Sequence, residues 1–193
     1  RQRQMCIRDS PDSTTSIGDS AFSGCTALRD IAIPDTVRTI GANAFSASGV
    51  RTVELPDSVT SLGDSAFSDC RSLTEVTLST GIDDIPAGAF SGCTSLSKVN
   101  FAEDGLETVG TGAFQSTGLT AISFPEGVTA IGDSALADCP SLASVTLPVS
   151  LRTLGDRVME SCPSLTTINV AERSTAFSSV DGVLFGNGGV VLL

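Results

Sequence analysis

Five cysteines, Cys25, Cys70, Cys93, Cys139 and Cys162, return at one position of a regular spacing and are the first candidates for chemistry, as metal thiolates or as disulfides. Metal sites need ligands that converge on a point, with paired spacings such as C-x-x-C, whereas these cysteines recur singly. Cys70 with Cys93, and Cys139 with Cys162, would come near disulfide separation if stacked, but with parallel Cα–Cβ vectors that do not close the bond. The expectation is a row of small buried side chains, with no metal. Asp19, Asp64, Asp133 and Asp156 share a second position and could form a carboxylate ladder for calcium. Calcium takes about six or more oxygens around one centre, and the other copies carry Ala42, Ala87 and Thr111 there. With Ser20, Ser65 and Ser134 following, these aspartates read as N-caps of short helical turns.

Catalysis finds no apparatus. The chain has no His, Trp or Tyr and a single lysine, Lys98, so a Ser or Cys triad of the usual kind has no base. Gly186-Asn187-Gly188-Gly189 lacks the Lys-Ser/Thr and the helix of a phosphate loop. No catalytic residue and no cofactor is predicted. Eleven basic residues against 22 acidic ones leave a net charge of -11, which repels phosphate backbones and anionic membrane surfaces. Nucleic acid is therefore excluded as a partner. No apolar run approaches the roughly 20 residues of a membrane-spanning helix, so membrane insertion is not expected.

What positions these residues is a repeat. One block starts at Ile17, Ile40, Leu62, Ile85, Val109, Ile131 and Leu154, at intervals of 23, 22, 23, 24, 22 and 23 residues. Each copy holds L-x-x-(I/V)-x-(I/L/F), as in Leu28-Ile31-Ile33 and Leu142-Val145-Leu147. The last two positions alternate, as in a strand with one buried face. Pro34, Pro56, Pro125 and Pro148 end that strand, and a glycine such as Gly41, Gly63, Gly132 or Gly155 permits a tight bend. The pair Ala-Phe follows at Ala21-Phe22, Ala44-Phe45, Ala66-Phe67, Ala89-Phe90 and Ala113-Phe114. A unit with so few apolar residues cannot close a core alone, so successive units must stack and share one.

The pattern C-x-x-L-x-x-I-x-L-P-x-x-V-x-x-I-G-x-x-A-F, running from about Pro11 to Phe177, resembles the BspA-like class of leucine-rich repeats. The resemblance implies an α/β repeat fold: a leucine-rich-repeat solenoid with one short parallel strand per turn, loops and short helical turns on the other side, and a C-terminal β-hairpin. Domain organisation follows the repeat. Residues 1–10 break the pattern, placing Arg8 and Ser10 where apolar residues belong, and read as artefactual carry-over. Three of the eleven basic residues and one of the 22 acidic ones fall in them, so the rest carries -13. Residues 11–177 form the solenoid. Residues 178–193 read as a truncated hairpin insert, in which Asn187-Gly188 suits a tight turn and Ser179-Val180-Asp181-Gly182-Val183-Leu184-Phe185 resembles the hairpin that interrupts BspA-like arrays. Further repeats of the same chain are expected at both ends.

The outward strand residues form the candidate binding face: Thr52, Glu54, Glu75, Thr77, Lys98, Asn100, Ser123, Ser144, Thr146, Thr167 and Asn169, flanked by Asp30, Ala32 and Ala121. Solenoids bind through such faces. This one grades from acidic to hydroxyl-bearing and offers no aromatic platform. The family resemblance implies a non-catalytic recognition or adhesion module of a larger bacterial-type surface protein, contacting a host, matrix or neighbouring-cell protein. The cell surface or extracellular space is its expected location. A passive spacer, and an intracellular scaffold whose effector domain lies elsewhere, are the competing readings.

Overall fold

The computed structural model describes residues 14–103, 105–180 and 183–186, and the backbone of 190–191. The expectations for residues 1–10 and for the Asn187-Gly188 turn lie outside the described residues. The strands are β1 (Ser16–Ile17), β2 (Thr39–Ile40), β3 (Thr52–Glu54), β4 (Ser61–Leu62), β5 (Glu75–Thr77), β6 (Asp84–Ile85), β7 (Lys98–Asn100), β8 (Thr108–Val109), β9 (Ala121–Ser123), β10 (Ala130–Ile131), β11 (Ser144–Leu147), β12 (Thr153–Leu154), β13 (Thr167–Val170), β14 (Phe177–Val180), β15 (Val183–Gly186) and β16 (Val190–Val191). Strands β1 to β13 build a β-solenoid of parallel strands in about seven turns, each turn numbered from its repeat start.

Two strand columns run along the solenoid. The expected column consists of β3-β5-β7 and β9-β11-β13, in register with Val53, Val76 and Val99 side by side, and likewise Ile122, Val145 and Ile168. A second, of two-residue strands, consists of β1-β2-β4 and β6-β8-β10-β12. One strand per turn was expected and two are present. The apolar residue closing each second strand, such as Ile40, Ile85 or Ile131, is buried, except Leu154 of β12, which is half-buried, and the residue before it is more exposed, so alternation in two residues suffices for a ladder.

The short helical turns are not formed, and no helix occurs among the described residues. Three residues after each repeat start, and again seven after, the backbone takes φ of 54–74°: Ser20 and Gly24, Asn43 and Ala47, Ser65 and Asp69, Gly88 and Gly92, Gly112 and Ser116, Ser134 and Asp138, Arg157 and Ser161. Two left-handed residues per eight cannot continue a right-handed helix. They turn alternate N–H groups out of the turn and into the next one. Asn43 N donates to Asp64 O at 2.9 Å, Phe45 N to Ala66 O at 2.7 Å and Ala47 N to Ser68 O at 2.7 Å, and the pattern repeats from turn to turn. This arc is a third hydrogen-bonded column and joins turn 1 to turn 7 without a gap.

Beneath the arc lie the Ala-Phe pairs. Phe22, Phe45, Phe67, Phe90 and Phe114 stack with ring centroids 5.0–5.6 Å apart and planes within 8° of parallel; all but Phe22 are fully buried. The alanine before each ring leaves room for it. The repeat glycine has a steric rather than a conformational role. A Cβ on Gly41 would lie 2.6 Å from Asp19 N, and one on Gly63 2.3 Å from Ala42 N, so a side chain there would hold neighbouring turns apart. At the C-terminal end β14, β15 and β16 form an antiparallel sheet, and Leu184 is fully buried as part of the solenoid core.

Candidate functional site

The outward residues of the strand column arrive in rows fixed by parallel pairing. Thr52, Glu75 and Lys98 align on one line, and Glu54, Thr77 and Asn100 on the next. Ala121, Ser144 and Thr167, then Ser123, Thr146 and Asn169, make the corresponding lines further along. All are exposed or half-exposed, while Val53, Val76, Ile122, Val145 and Ile168 between them are buried. Asp30 and Ala32 of turn 1 are also exposed, but their segment forms no strand.

The rows do not make one continuous sheet, which the sequence did not reveal. The ladder stops between β7 and β9, and the two three-stranded sheets differ in chemistry. In the first, the side chains satisfy one another: Lys98 Nζ donates to Glu75 Oε1 at 2.7 Å, and Asn100 Nδ2 donates to the same oxygen at 2.7 Å and to Thr77 Oγ1 at 3.0 Å. The hydrogen bonds from Lys98 and Asn100, with the lysine charge, hold the Glu75 carboxyl below the usual glutamate range. In the second sheet, Ser123, Ser144, Thr146, Thr167 and Asn169 make no side-chain hydrogen bond among the described residues. Their donors and acceptors remain open to solvent or to a partner.

The cysteines are placed side by side, as their common repeat position requires, and form no disulfide. Cys70, Cys93 and Cys139 are buried, Cys162 is half-buried and Cys25 is exposed. Each inner thiol donates to a carbonyl of the preceding turn: Cys70 to Phe45 O at 3.0 Å, Cys93 to Phe67 O at 3.1 Å, Cys139 to Phe114 O at 3.3 Å and Cys162 to Leu136 O at 3.2 Å. The thiol thus gives a further hydrogen bond to the carbonyl of the stacked phenylalanine, or of Leu136 in the case of Cys162, a polar task that simple packing does not express. Ser48 and Thr117 stand in the same column, their hydroxyls 3.3 Å from Cys70 Sγ and 3.2 Å from Cys139 Sγ. The hydrogen bond with Cys70, together with burial, pushes the Cys93 thiol well above its ordinary value. A thiol held protonated in this way is neither a ready nucleophile nor a ready metal ligand.

The aspartate column is corrected by the absence of helices. Asp19 Oδ1 accepts from Ala42 N and Asp133 Oδ1 from Asp156 N, each at 2.8 Å. The carboxylate staples one arc to the next rather than capping its own turn. Among the described residues no three Cys, Asp or Glu side chains gather where they could hold a metal ion. Nor is any described helix long and apolar enough to cross a membrane.

Comparison with known proteins agrees with this architecture. The BspA type leucine rich repeat region matches residues 8–117 and 72–181, in six copies. The chain belongs to the BspA-type leucine-rich-repeat family. Among solved structures it is similar to a leucine-rich repeat protein from Bacteroides ovatus, at 28% identity and a TM-score of 0.63 over 83% of this chain and 48% of that one. A T. pallidum leucine rich repeat protein is 30% identical with a TM-score of 0.60, over 81% of this chain and 63% of the other. One from Eubacterium ventriosum, at 23% identity and a TM-score of 0.61, over 79% of this chain and 37% of that one, shares the fold. The chain thus spans between about a third and two thirds of these relatives' lengths. No curated protein matches it.

Proposed function

We propose that this chain is a non-catalytic protein-recognition or adhesion module of a bacterial-type surface protein, contacting a host, matrix or neighbouring-cell protein through its strand face. The observation that carries this reading is the sheet β9-β11-β13, which holds Ser123, Ser144, Thr146, Thr167 and Asn169 in register with no side-chain hydrogen bond among them. Aligned, unpaired polar groups on a stiff scaffold lose little entropy on binding. Without an aromatic or arginine anchor on this face, the contact would be weak singly and would gain strength through repetition. The family's commonly surface-associated members support an extracellular location. The division into a non-repeat, artefactual segment at 1–10, a solenoid at 11–177 and a truncated hairpin-like insert at 178–193 belongs to the same proposal.

The test is binding of the whole chain, displayed in several copies on beads, to a panel of purified matrix proteins. Thr146→Arg and Thr167→Arg add bulk to the face without touching the core. Retention of the wild type and loss with either variant would support the strand face as the contact. If no matrix protein is retained, or both variants bind like the wild type, the face is passive and the spacer reading replaces this one.

A further inference from the structure

Turn 2 is one residue shorter than turn 1 at the end of its arc, where Ser48-Gly49 follows Ala47 directly. Over this shortened arc lies a surface groove of about 490 Å³ lined in part by Ala47, Ser48 and Gly49. Arg29 of turn 1 lines one side and Arg71 of turn 3, with Asp69 and Ser72, the other, while Arg51 adjoins the groove beside Arg29 without lining it. Arg51 is the immediate neighbour of Arg29, because Arg51 N donates to Arg29 O at 3.0 Å. All three arginines are exposed.

Two features make this cluster costly to the protein alone. Like charges directly opposite each other on neighbouring extended segments destabilise them, and neither Arg29 nor Arg51 forms an ion pair among the described residues. Arg71 has one partner, Asp69, at a loose 3.5 Å, with both side chains largely exposed. In a chain of net charge -11 carboxylates are plentiful, yet none neutralises the Arg29–Arg51 pair.

The repeat supplies its own control. Turn 5 has the same shortening, at Thr117-Gly118, but Ser97, Thr120 and Pro140 occupy the positions of Arg29, Arg51 and Arg71. The short turn therefore does not require arginines. We propose that the groove over turn 2 is a binding site for a tetrahedral oxyanion, a sulfate or phosphate ester carried on a larger ligand. Guanidinium groups present planar pairs of N–H donors matched to such oxygens. The Ser72 hydroxyl beside them can add a neutral donor. Asp69 already engages Arg71, so Arg29 and Arg51 carry the larger share. The acidic remainder of the surface would repel an extended polyanion, which favours a ligand bearing one or a few such groups. The site is separate from the strand-face residues and does not depend on them.

The experiment titrates the whole chain, at low salt, with a short sulfated oligosaccharide and with a phosphoserine peptide, each beside its desulfated or unphosphorylated counterpart. Binding of at least one anionic probe and of neither counterpart is expected. The sulfated probe binding tighter would identify a glycan source, and the phosphopeptide a protein one. Arg29→Ser with Arg51→Thr imports the residue types of turns 4 and 5 and should weaken binding by about tenfold or more, as expected for losing charge-assisted hydrogen bonds. The melting temperature should hold or rise as the like-charge contact disappears. Arg29→Lys with Arg51→Lys, which keeps both charges and loses the fork, should fall between the two. The proposal is overturned if neither anionic probe binds, if the counterparts bind as well, or if both double variants bind like the wild type.

Discussion

Turns 2 and 5 are the same structural event in two chemical settings. Each drops one residue at the end of its arc, puts a hydroxyl, Ser48 or Thr117, in the cysteine column, and follows it with a glycine pressed on the preceding turn. A Cβ on Gly49 would lie 2.1 Å from Thr26 O, and one on Gly118 2.4 Å from Thr94 O. Each is followed by the first strand of a new sheet, β3 or β9. Yet turn 2 keeps backbone bonds to turn 1, from Gly49 N to Cys25 O and from Arg51 N to Arg29 O, whereas the equivalent bonds of turn 5 to turn 4 are not formed. The 24-residue interval leading into turn 5 adds a residue before the arc, and Gly105 takes a φ of 105° there. The comparison teaches that a new strand sheet starts after each shortened arc, and that where a residue is also added in the preceding loop the backbone bonds to the preceding turn are lost as well. Across that seam the arc's hydrogen bonds, the β6–β8 pairing and the Phe90–Phe114 stack, with centroids 5.5 Å apart, persist.

The seam is most exposed to a break in its ring stack. Phe90→Ala should cost about 3 to 5 kcal/mol, as for a buried aromatic, and should make turns 1–4 and 5–7 exchange their amide hydrogens with separate protection. A cooperative, nearly unchanged melt would show that the ring stack is not what joins the two halves. Next come the glycines of the short turns: Gly49→Ala and Gly118→Ala should each lose about 1 to 3 kcal/mol by overpacking, with Gly49 the worse. Gly18→Ala, where a Cβ meets nothing within 4 Å, should stay within about 0.5 kcal/mol. Equal denaturation midpoints for the three variants would remove the steric account of the short turns.

Smaller still is the cysteine column that both short turns interrupt. Cys93→Ala should cost about 1 to 2 kcal/mol through lost burial and the lost hydrogen bond to the Phe67 carbonyl, and Cys25→Ala, at an exposed position, close to nothing. Chelator or reductant should leave the melting temperature of the wild type where it was, and a drop of many degrees with either would restore the metal or disulfide reading. The smallest effect is on the charged sheet between the two short turns. Because Lys98 and Asn100 lower the Glu75 carboxyl, the network's contribution is present above the unfolded glutamate pKa and is lost as pH falls through the lower folded one. Lys98→Met should move the Glu75 titration, followed by carboxyl NMR, up toward its ordinary range near about 4.3. An unmoved titration would mean that Lys98 does not hold Glu75 in solution.

Much of the fold was legible because a repeat states each requirement several times. The period, the buried Ile/Val/Leu columns and the Ala-Phe wedge follow from residue types that recur at one spacing. The helical turns were misread for a physical reason. Asp-Ser before Ala-Phe is a good N-cap signature for an isolated segment, but here the residues after Asp19 and Asp133 take left-handed backbone, and the carboxylate reaches the next turn's N–H instead. The thiol's bond to the phenylalanine carbonyl was likewise hidden, since cysteine in a buried column looks the same whether or not its proton is used. Alternation along the strand pointed to which of its residues are exposed, but not to their division into a self-paired sheet and an unpaired one.

The sequence by itself determined the period, the family and most of the buried columns, because burial depends largely on residue type and spacing, while at the ends of the array Cys25 is exposed and Phe22 and Cys162 are only half-buried. Tertiary structure decided which backbone groups pair between turns, where the strand ladders stop, and which exposed charges are left beside one another. Those outcomes depend on contacts between residues more than 20 positions apart, where one residue added or dropped in a loop shifts every partner that follows. No single turn contains that information until its neighbours are stacked against it.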